Sequence, residues 1–303
     1  MIRVTHNSLV NQSINAALDR FRKLSEAQRE VSTGKAIDRI SQDPRRGGAI
    51  LDLNSIVSRG EQYLRNAQSA KHELQTAEAV VGQVNDLLTR VRSLSLRVSN
   101  ESLSESDRQA IAGQIDQELN ELLRIANQKS GRRFVFGGDA TPYVAEQDES
   151  GKTASVEASL ATRREPNEII LGDGERLSAG IAAGDIFEFG DNENLFDLVI
   201  SLRNSITEDD REVTTQSVGR LDDGLDNLEA AMALIGARYS AVQNTTDRLE
   251  EAKLESTQRL SELADADIVE SISRYNQEEA YYQMSLQVSA RIMQQSLLNF
   301  IAV

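Results

Sequence analysis

The sequence contains no cysteine and no tryptophan, and it has only three prolines in 303 residues. Without cysteine the chain forms neither a disulfide framework nor a thiolate metal site, which suits a protein that crosses between redox compartments. Aromatic residues make up 4% of the chain, so its core must be built from aliphatic side chains. No apolar run approaches the ~20 residues that a membrane-spanning helix needs.

An excess of positive charge is also missing. The chain carries 33 Lys and Arg against 48 Asp and Glu, a net charge of -15. This balance argues against a nucleic acid or an anionic membrane surface as a partner, because both require a basic face. The first residues, "MIRVTHNSLVNQSINAALDRF", lack a basic segment followed by an apolar one, so we do not expect export by the Sec route.

The charge is distributed unevenly along the chain. Residues 1–42 hold seven Lys and Arg and four Asp and Glu, which gives +3, and residues 280–303 hold the single charge of Arg291. Everything between these ends therefore carries -19. The two ends differ in composition from the middle, which indicates a different environment for them.

Heptad spacing is the main periodic signal and predicts two long helical rods. The first seam comprises Ala67, Ala70, Leu74, Ala77, Val81, Val84, Leu88, Val91, Ser95 and Val98. The second comprises Leu221, Leu225, Leu228, Met232, Ile235, Tyr239, Val242, Thr246, Leu249, Lys253, Ser256, Leu260 and Leu263. At 1.5 Å per residue, the second helix would be roughly 65 Å long, too long for the core of a compact globule.

Helix-start signals precede the first rod and the helix after it. Asp43 is a suitable N-cap, and Pro44 fits the first helical position, where a missing N–H has no consequence. The first rod should end near Asn100, and Ser104 and Asp107 have the spacing of a capping box. The helix that follows should bury one face, which makes the pair an αα-hairpin. That face comprises Ile111, Ile115, Leu119, Leu122 and Ile125.

The middle of the chain changes to strand-like patterns. The segments "FVFGG", "SVEASLA", "EIILGDGERL" and "DIFEFGD" read as short strands, with "GDG" as a tight turn. Helical spacing returns at Leu195 and places Val199, Leu202 and Ile206 on the same side. The pattern therefore predicts a small β-rich insert between helical segments.

Both termini have amphipathic helical patterns. The N-terminal seam comprises Ile14, Ala17, Phe21, Leu24, Gln28 and Val31, and the C-terminal seam comprises Leu286, Ala290, Met293, Leu297 and Phe300. The chain ends in the apolar segment "SLLNFIAV". If the chain runs out along the first rod, forms the β-rich insert and returns along the second rod, the two termini lie side by side. The last helix is nearly free of charge, so the pair would expose a large apolar face, and such a face normally has a partner.

The sequence offers no arrangement suited to catalysis. His6 and His72 have no second ligand nearby that would complete a metal set, and "GDGE" and "GDNEN" lack the spacing of a calcium loop. Asp265 and Asp267 diverge on a helix, so a helix-start or junction role is favoured over a catalytic dyad. We therefore expect neither an enzyme nor a cofactor or metal site.

Several segments in the same order resemble the flagellin superfamily and, within it, the hook-associated protein 3 family. They are "VSTGKAIDRISQDPRRGGAI", "QYLRNAQSA", "SNESLSESDRQAI", "ANQKSGRRFVFGG", "LSELADADIVESIS" and "QQSLLNFIAV". The "STG" of 32–34, the "DP" of 43–44 and "RRFVFGG" resemble the hook-associated protein 3 family. Flagellins usually carry "SSG", two Asp without the Pro, and "FNG" at these places. The central insert has no such counterpart.

The resemblance implies a structural adaptor at the junction between hook and filament, exported by flagellar type III secretion. It implies as partners further copies of the chain in a ring, hook-associated protein 1, flagellin and an export chaperone. It also implies that the terminal helices are mobile in the free subunit and pack in the axial core of the assembly. The chain would be extracellular in the flagellum and cytoplasmic before export.

The predicted fold is mainly α and flagellin-like, with long antiparallel rods, terminal coiled-coil helices and a small β-rich insert. We divide it into an inner domain of 1–42 and 264–303, a rod domain of 43–140 and 195–263, and an outer β-rich domain of 141–194. The predicted assembly interface comprises Ile14, Leu18, Phe21, Leu24, Val31, Ile272, Tyr275, Leu286, Met293, Leu297, Leu298, Phe300 and Ile301.

Two alternatives stay open at this point. A divergent flagellin would polymerise into long filaments, and a coiled-coil signalling adaptor would stay in the cytoplasm.

Overall fold

A computed structural model describes residues 6–100, 103–136, 140–149, 151–159, 168–178, 180–189 and 193–301. Side chains are described except at 6, 7, 100, 193 and 295–301. The helices are α1 His6–Thr33, α2 Pro44–Asn100, α3 Glu105–Ala126, α4 Gly184–Phe187, α5 Leu195–Glu208, α6 Arg211–Ala264 and α7 Ile268–Ile301. The strands are β1 Lys129–Ser130, β2 Arg133–Phe134, β3 Tyr143–Gln147, β4 Thr153–Ala158, β5 Glu168–Ile170, β6 Arg176–Ser178, β7 Glu188–Phe189 and β8 Glu193–Asn194. The mainly helical fold with short strands is confirmed.

Side-chain caps fix where the long helices begin. Asp43 accepts hydrogen bonds from the main-chain N–H groups of Arg45 and Arg46, and α2 starts at Pro44, both as predicted. Ser104 caps α3 and accepts from the N–H of Asp107 at 3.3 Å, which confirms Ser104 as the N-cap. Each cap satisfies donors that the first helical turn leaves unpaired and is worth about 1 kcal/mol.

The helical region that begins at Leu195 consists of two helices, α5 and α6. Asp209 adopts a left-handed conformation, with φ of 61°, and closes α5. Asp210 then caps α6 by accepting from two N–H groups at 3.1 Å. Acidic residues with short side chains suit both positions, because they tolerate the left-handed region and compete with the helix for backbone donors. The sequence pattern gave two separate seams here, Leu195 to Ile206 and Leu221 to Leu263, without locating the boundary between the helices.

The chain falls into two compact units. Unit 1 comprises residues 1–59 and 251–303, and unit 2 comprises residues 60–250. The borders lie inside α2 and α6, rather than at 42 and 264, and unit 2 includes the β-rich segment. The three-domain division stays a prediction, since compactness alone gives two parts.

The core of unit 2 follows the predicted heptads. Every position of the first seam, from Ala67 to Val98, is buried. The second seam is buried at Leu221, Leu228, Ile235 and Val242 and half-buried at the positions between them. The predicted faces of α3 and α5 are also buried. A period of 3.5 residues keeps one face toward its neighbours along the whole helix, which is why the pattern could be read directly.

Polar contacts fix the register of α2 against α6. The amide of Gln75 donates to the hydroxyl of Tyr239 at 3.4 Å, and the guanidinium of Arg92 pairs with Asp222 at 2.5 Å. A step of 17 residues forward along α2 is therefore a step of 17 back along α6, so the two helices run antiparallel. On α3, Glu118 pairs with Arg90 of α2 at 2.9 Å.

The strands form separate two-stranded antiparallel hairpins: β1 with β2, β3 with β4, β5 with β6, and β7 with β8. The "GDG" turn joins β5 to β6, as predicted, and Gly174 takes the positive φ of 84° that the turn requires. Two predictions need correction. "DIFEFGD" begins as the helical turn α4, in which Ile186 and Phe187 are both buried. The strand β3 was missed.

An aromatic cluster joins the hairpins to α5. The ring of Tyr143 lies 5.2 Å from that of Phe187 and 4.7 Å from that of Phe196, and Phe136 lies against Phe187. The hydroxyl of Tyr143 is buried without a hydrogen-bond partner in the part of the chain that the structure describes. Burial, with a smaller effect of Glu188, raises the pKa of this hydroxyl above its usual value.

Replacing Tyr143 by phenylalanine should therefore raise the free energy of unfolding of unit 2 or leave it unchanged. The variant keeps the ring contacts and removes a buried polar group whose lack of a partner is worth ~1–3 kcal/mol. The urea midpoint, followed by circular dichroism, measures the effect. A loss of more than about 1 kcal/mol would show that the hydroxyl has a stabilising partner.

Two adjacent glycines at the start of α2 offer a second test. A methyl group on Gly47 would meet the Cα and Cγ2 atoms of Ile40 at 3.0 Å, whereas one on Gly48 would meet nothing within 4 Å. Gly48→Ala should stabilise the helix by about 0.4–1 kcal/mol. Gly47→Ala should destabilise it by about 1–3 kcal/mol, because the backbone at Ile40 must move. Amide hydrogen exchange in the first turns of α2 compares the two, and equal effects would contradict the close approach.

Candidate assembly interface

In unit 1, α1 and α7 pack side by side, as predicted for the two termini. At one end a bridge pairs Lys35 with Asp265, and the N–H of Ala36 donates to the carbonyl of Ala264 at 2.8 Å. Asp267 caps α7 through the N–H groups of Val269 and Glu270, which confirms its helix-start role. The end of α1 and the start of α7 are therefore held together.

Contacts along the pair show that it is antiparallel. Ser271 at the start of α7 donates to Glu30 at 3.0 Å, and Ser289 further along donates to the carbonyl of Ser13 at 3.3 Å. Between them Arg20 pairs with Glu278 at 3.3 Å. These contacts hold the helices in register along several turns.

The seam between α1 and α7 consists mainly of small and polar side chains. On α1 the residues turned inward are Val10, Ser13, Ala17, Arg20, Leu24 and Ala27. On α7 they are Ser271, Tyr275, Glu278, Tyr282, Ser285, Ser289 and Ile292. Both sets alternate three and four residues apart, as in a coiled coil, yet few of their members bury a large apolar side chain.

Large apolar side chains lie outside this seam. Leu18 is 54% exposed and Phe21 51%, and Ile14, four residues before Leu18, is also exposed. These three form a stripe along α1 at the spacing i, i+4, i+7. We call it the α1 stripe. It has the form of a surface that packs against another helix.

The remaining predicted interface residues fall into three groups. Ile272, Leu286 and Met293 are exposed on α7, and Val31 is exposed at the end of α1. Leu24 and Tyr275 are half-buried in the seam of the pair. The side chains of Leu297, Leu298, Phe300 and Ile301 lie outside the described part of the chain.

The seams predicted from the sequence differ from the faces that the structure turns inward. Phe21 on α1, and Leu286 and Met293 on α7, belong to those seams and to the predicted assembly interface, and they are exposed in the pair. The ion pairs Arg20–Glu278 and Arg274–Glu30 lie between the helices and set a different face inward. The largest apolar residues of the predicted seams therefore lie outside the contact between α1 and α7.

Sequence reasoning also missed exposed apolar residues on α7. Ile268 and Val269 are exposed at its first turn, and Tyr281, Met284 and Val288 form a second stripe further along. The sequence contained a signal for this stripe, because positions 281, 284 and 288 have the spacing of residues on one helix face. α7 therefore has apolar side chains on both flanks of its seam.

The pair has little internal stabilisation. Its ion pairs are partly exposed, and such pairs typically contribute about 0.2–1 kcal/mol. Phe21 and Tyr282 form one ring contact at 5.6 Å, and the guanidinium of Arg20 lies 4.9 Å from the ring of Tyr281. These contacts determine register more than they determine stability.

We therefore expect low hydrogen-exchange protection in α1 and α7 of the free chain. Amides of 8–30 and 271–294 should exchange at least about 100-fold faster than those of 67–98 in α2, because local opening is governed by buried apolar area. Exchange followed by mass spectrometry of the purified chain measures this ratio. Equal protection would contradict the idea that the pair depends on a partner.

None of the helices in the described residues is both long and apolar enough to cross a membrane. No cluster of three or more His, Cys, Asp or Glu in these residues has the arrangement to hold a metal ion.

Comparison with protein families gives two matches at the two ends of the chain. The model described as the bacterial flagellin N-terminal helical region matches residues 4–138, and that of the bacterial flagellin C-terminal helical region matches residues 218–301. The chain belongs to the flagellin superfamily. Together the matches include α1, α2, α3 and α7 and most of α6.

Within the flagellin superfamily the chain is similar to both hook-associated proteins and flagellins. It is 24% identical to flagellar hook-associated protein 3 of Escherichia coli K12, over 84% of this chain and 86% of that protein. It is 20% identical to flagellar hook-associated protein 3 of Salmonella typhimurium, over 98% and 99%. It is also 22% identical to flagellin of Listeria monocytogenes, over 90% and 88%.

Solved structures share the fold of this flagellin-superfamily chain. A putative flagellar hook-associated protein from Vibrio parahaemolyticus aligns with a TM-score of 0.66 at 19% identity, over 74% of this chain and 100% of that one. Flagellar hook-associated protein-3 from Legionella pneumophila aligns with a TM-score of 0.61 at 14% identity, over 71% and 98%. The predicted flagellin-like fold is confirmed, and the chain is a component of the bacterial flagellum.

Proposed function

We propose that the chain is a structural adaptor that forms the junction between hook and filament by helix packing. The observation that carries the proposal is the placement of apolar and polar side chains on the helices α1 and α7 of unit 1. Its paired helices meet through small and polar residues, while Ile14, Leu18 and Phe21 of α1 and Ile272 and Leu286 of α7 stay exposed. The similarity to proteins named flagellar hook-associated protein 3 supports the junction as the site of assembly.

The proposed partners are other copies of the chain in a ring, hook-associated protein 1 on the hook side and flagellin on the filament side. An export chaperone would cover the terminal helices in the cytoplasm before type III secretion. Burying apolar surface contributes about 25 cal/mol per Å², so several exposed Leu, Ile and Phe side chains per subunit provide a substantial driving force. The proposed interface consists of the thirteen residues predicted from the sequence, of which Ile14 is the first and Ile301 the last.

Labelling the chain on intact flagella tests this function. Antibodies raised against the segment 143–157 should mark one point, at the far end of the hook. Label along the whole filament would favour a divergent flagellin, a possibility that the 22% identity to a Listeria flagellin keeps open. Recovery of the chain from cytosol, and not from sheared cell-surface fractions, would favour a cytoplasmic signalling adaptor.

A further inference from the structure

A basic surface lies between α1 and α2. Residues 35–46, which we call the basic shoulder, contain Lys35, Arg39, Arg45 and Arg46 against two acids. All four basic residues are exposed. Ile40 lies among them in the sequence and is 51% exposed. The shoulder thus combines an exposed apolar side chain with a net charge of +2.

An acidic surface with the same organisation lies at the start of α7. Residues 262–272, which we call the acidic shoulder, contain Glu262, Asp265, Asp267 and Glu270 and no Lys or Arg. Its apolar side chains are Ile268, Ile272 and Val269, the last of them 78% exposed. The two shoulders are therefore complementary in charge, and each has an apolar centre.

The two shoulders do not neutralise each other within one chain. Among the described residues their ion pairs are local: Arg39 with Asp38 at 4.0 Å, Arg46 with Asp43 at 3.7 Å, and Glu270 with Arg274 at 2.9 Å. The main-chain bridge between residues 35 and 265 places the shoulders next to each other, yet the apolar side chains of Ile40 and Val269 stay exposed. Each shoulder therefore remains available to a second molecule.

The overall charge of the two units favours a second copy as that molecule. Unit 1 contains 14 Lys and Arg and 14 Asp and Glu, so it is neutral, and unit 2 carries the whole net charge of -15. Within unit 1 the segment 1–59 carries +4 and the segment 251–303 carries -4. Copies can therefore approach through unit 1 without like-charge repulsion, whereas contact through unit 2 is opposed.

We propose that the basic shoulder of one copy docks on the acidic shoulder of the next copy in the junction. The apolar centres supply attraction, and the surrounding charges set the register and exclude wrong partners. Such a contact is heterologous, because two different surfaces meet, and when repeated it forms a ring if the rotation between successive copies closes. The inference rests on the proposed function and names the surfaces by which the chain contacts itself.

Disulfide cross-linking tests the contact with little ambiguity, because the chain has no cysteine of its own. Cells would produce two versions of the full chain together, one with Ile40→Cys and one with Val269→Cys, and intact flagella would be oxidised. We expect a disulfide-linked dimer containing one of each. The matched control pairs Ile40→Cys with Leu254→Cys, which is exposed in the same unit outside the acidic shoulder. A yield no greater than that of the control would overturn the inference.

Charge reversal gives an independent measurement. Arg39→Glu with Arg45→Glu, and separately Glu262→Arg with Glu270→Arg, should each reduce the Ile40–Val269 type of cross-link at least about tenfold, since like charges then face each other. A chain with all four reversals should cross-link with itself again but not with the unreversed chain. Failure of the fourfold variant to recover, while it stays folded by circular dichroism, would count against the docking.

Antibody labelling separates this inference from the proposed function. A chain found at the end of the hook without the cross-link overturns the docking of the two shoulders alone. A chain absent from that position overturns the proposed function, and the inference with it.

Discussion

Replacing Arg203 by methionine should lower the free energy of unfolding of unit 2 by about 3–5 kcal/mol. Arg203 lies on α5, is 4% exposed and pairs with Asp116 of α3 at 2.5 Å. Its guanidinium also donates to the carbonyl of Thr153 on β4 at 2.8 Å. One side chain therefore links two helices and a strand.

The expected loss comes from the groups that remain after the substitution. Methionine fills part of the volume, but the carboxylate of Asp116 and the carbonyl of Thr153 lose a charged donor in a largely buried place. An unpaired buried charge or acceptor is far more unfavourable than the same pair is favourable. Urea unfolding followed by circular dichroism measures the change.

The same substitution at Arg90 provides the control. Arg90 pairs with Glu118 at 2.9 Å on the same helix α3, but its side chain is half exposed. Arg90→Met should cost less than about 1 kcal/mol, as is usual for surface pairs. If the two variants lose the same stability, Arg203 is not the buried link that its contacts indicate.

Arg203 also shows what the sequence could not predict. The pattern identified its neighbours Leu202 and Ile206 as buried, because their period alone decides the face of α5. Arginine is almost never fully buried unless it is paired, so a single sequence assigns it to the surface. Only the three-dimensional arrangement brings Asp116 and Thr153, which are 87 and 50 residues away, to its side.

The seam of α2 and the seam of α1 show what periodicity can and cannot predict. All ten predicted positions from Ala67 to Val98 are buried, because α2 has its neighbours in the same chain. On α1 the same spacing put Phe21 in the predicted seam, and the structure leaves it 51% exposed. Periodicity identifies which residues share a face, but it does not say whether this chain or another one covers that face.

The short strands were the least predictable part. Each hairpin contains few residues, and "DIFEFGD" alternates like a strand although its first half is helical. Isolated two-stranded hairpins are marginal by themselves, so packing on the helices decides their conformation. The pair formed by Asn127 and Tyr143, whose amide and main chain exchange hydrogen bonds at 2.8 and 3.0 Å, is an example of such a contact.

Placing charge on the α1 stripe should abolish incorporation into the flagellum while the free chain keeps its stability. We expect this of Ile14→Glu combined with Leu18→Glu. Both side chains are exposed, so the free energy of unfolding should change by less than about 0.5 kcal/mol. In an assembly that buries them, each lost Ile or Leu removes about 1.5–3 kcal/mol, and each carboxylate adds a desolvation cost.

The combined loss of at least ~3 kcal/mol corresponds to more than a hundredfold weaker attachment, since each 1.4 kcal/mol is tenfold. The variant should therefore appear in the culture medium and be depleted from the hook end, as measured by quantitative immunoblotting of both fractions. Flagellin should accompany it into the medium, because the filament would lack its attachment platform. The urea midpoint of the purified variant checks the fold.

The matched control carries the same two charges at the same spacing on another face of α1. Ser8 and Gln12 are exposed, lie four residues apart and point about a third of a turn away from the α1 stripe at 100° per residue. Ser8→Glu with Gln12→Glu should leave incorporation close to that of the original chain. If the stripe variant is incorporated as well as this control, the exposed residues of α1 are not an assembly surface. If instead the stripe variant unfolds at lower urea concentration, Ile14 and Leu18 belong to the core of the subunit.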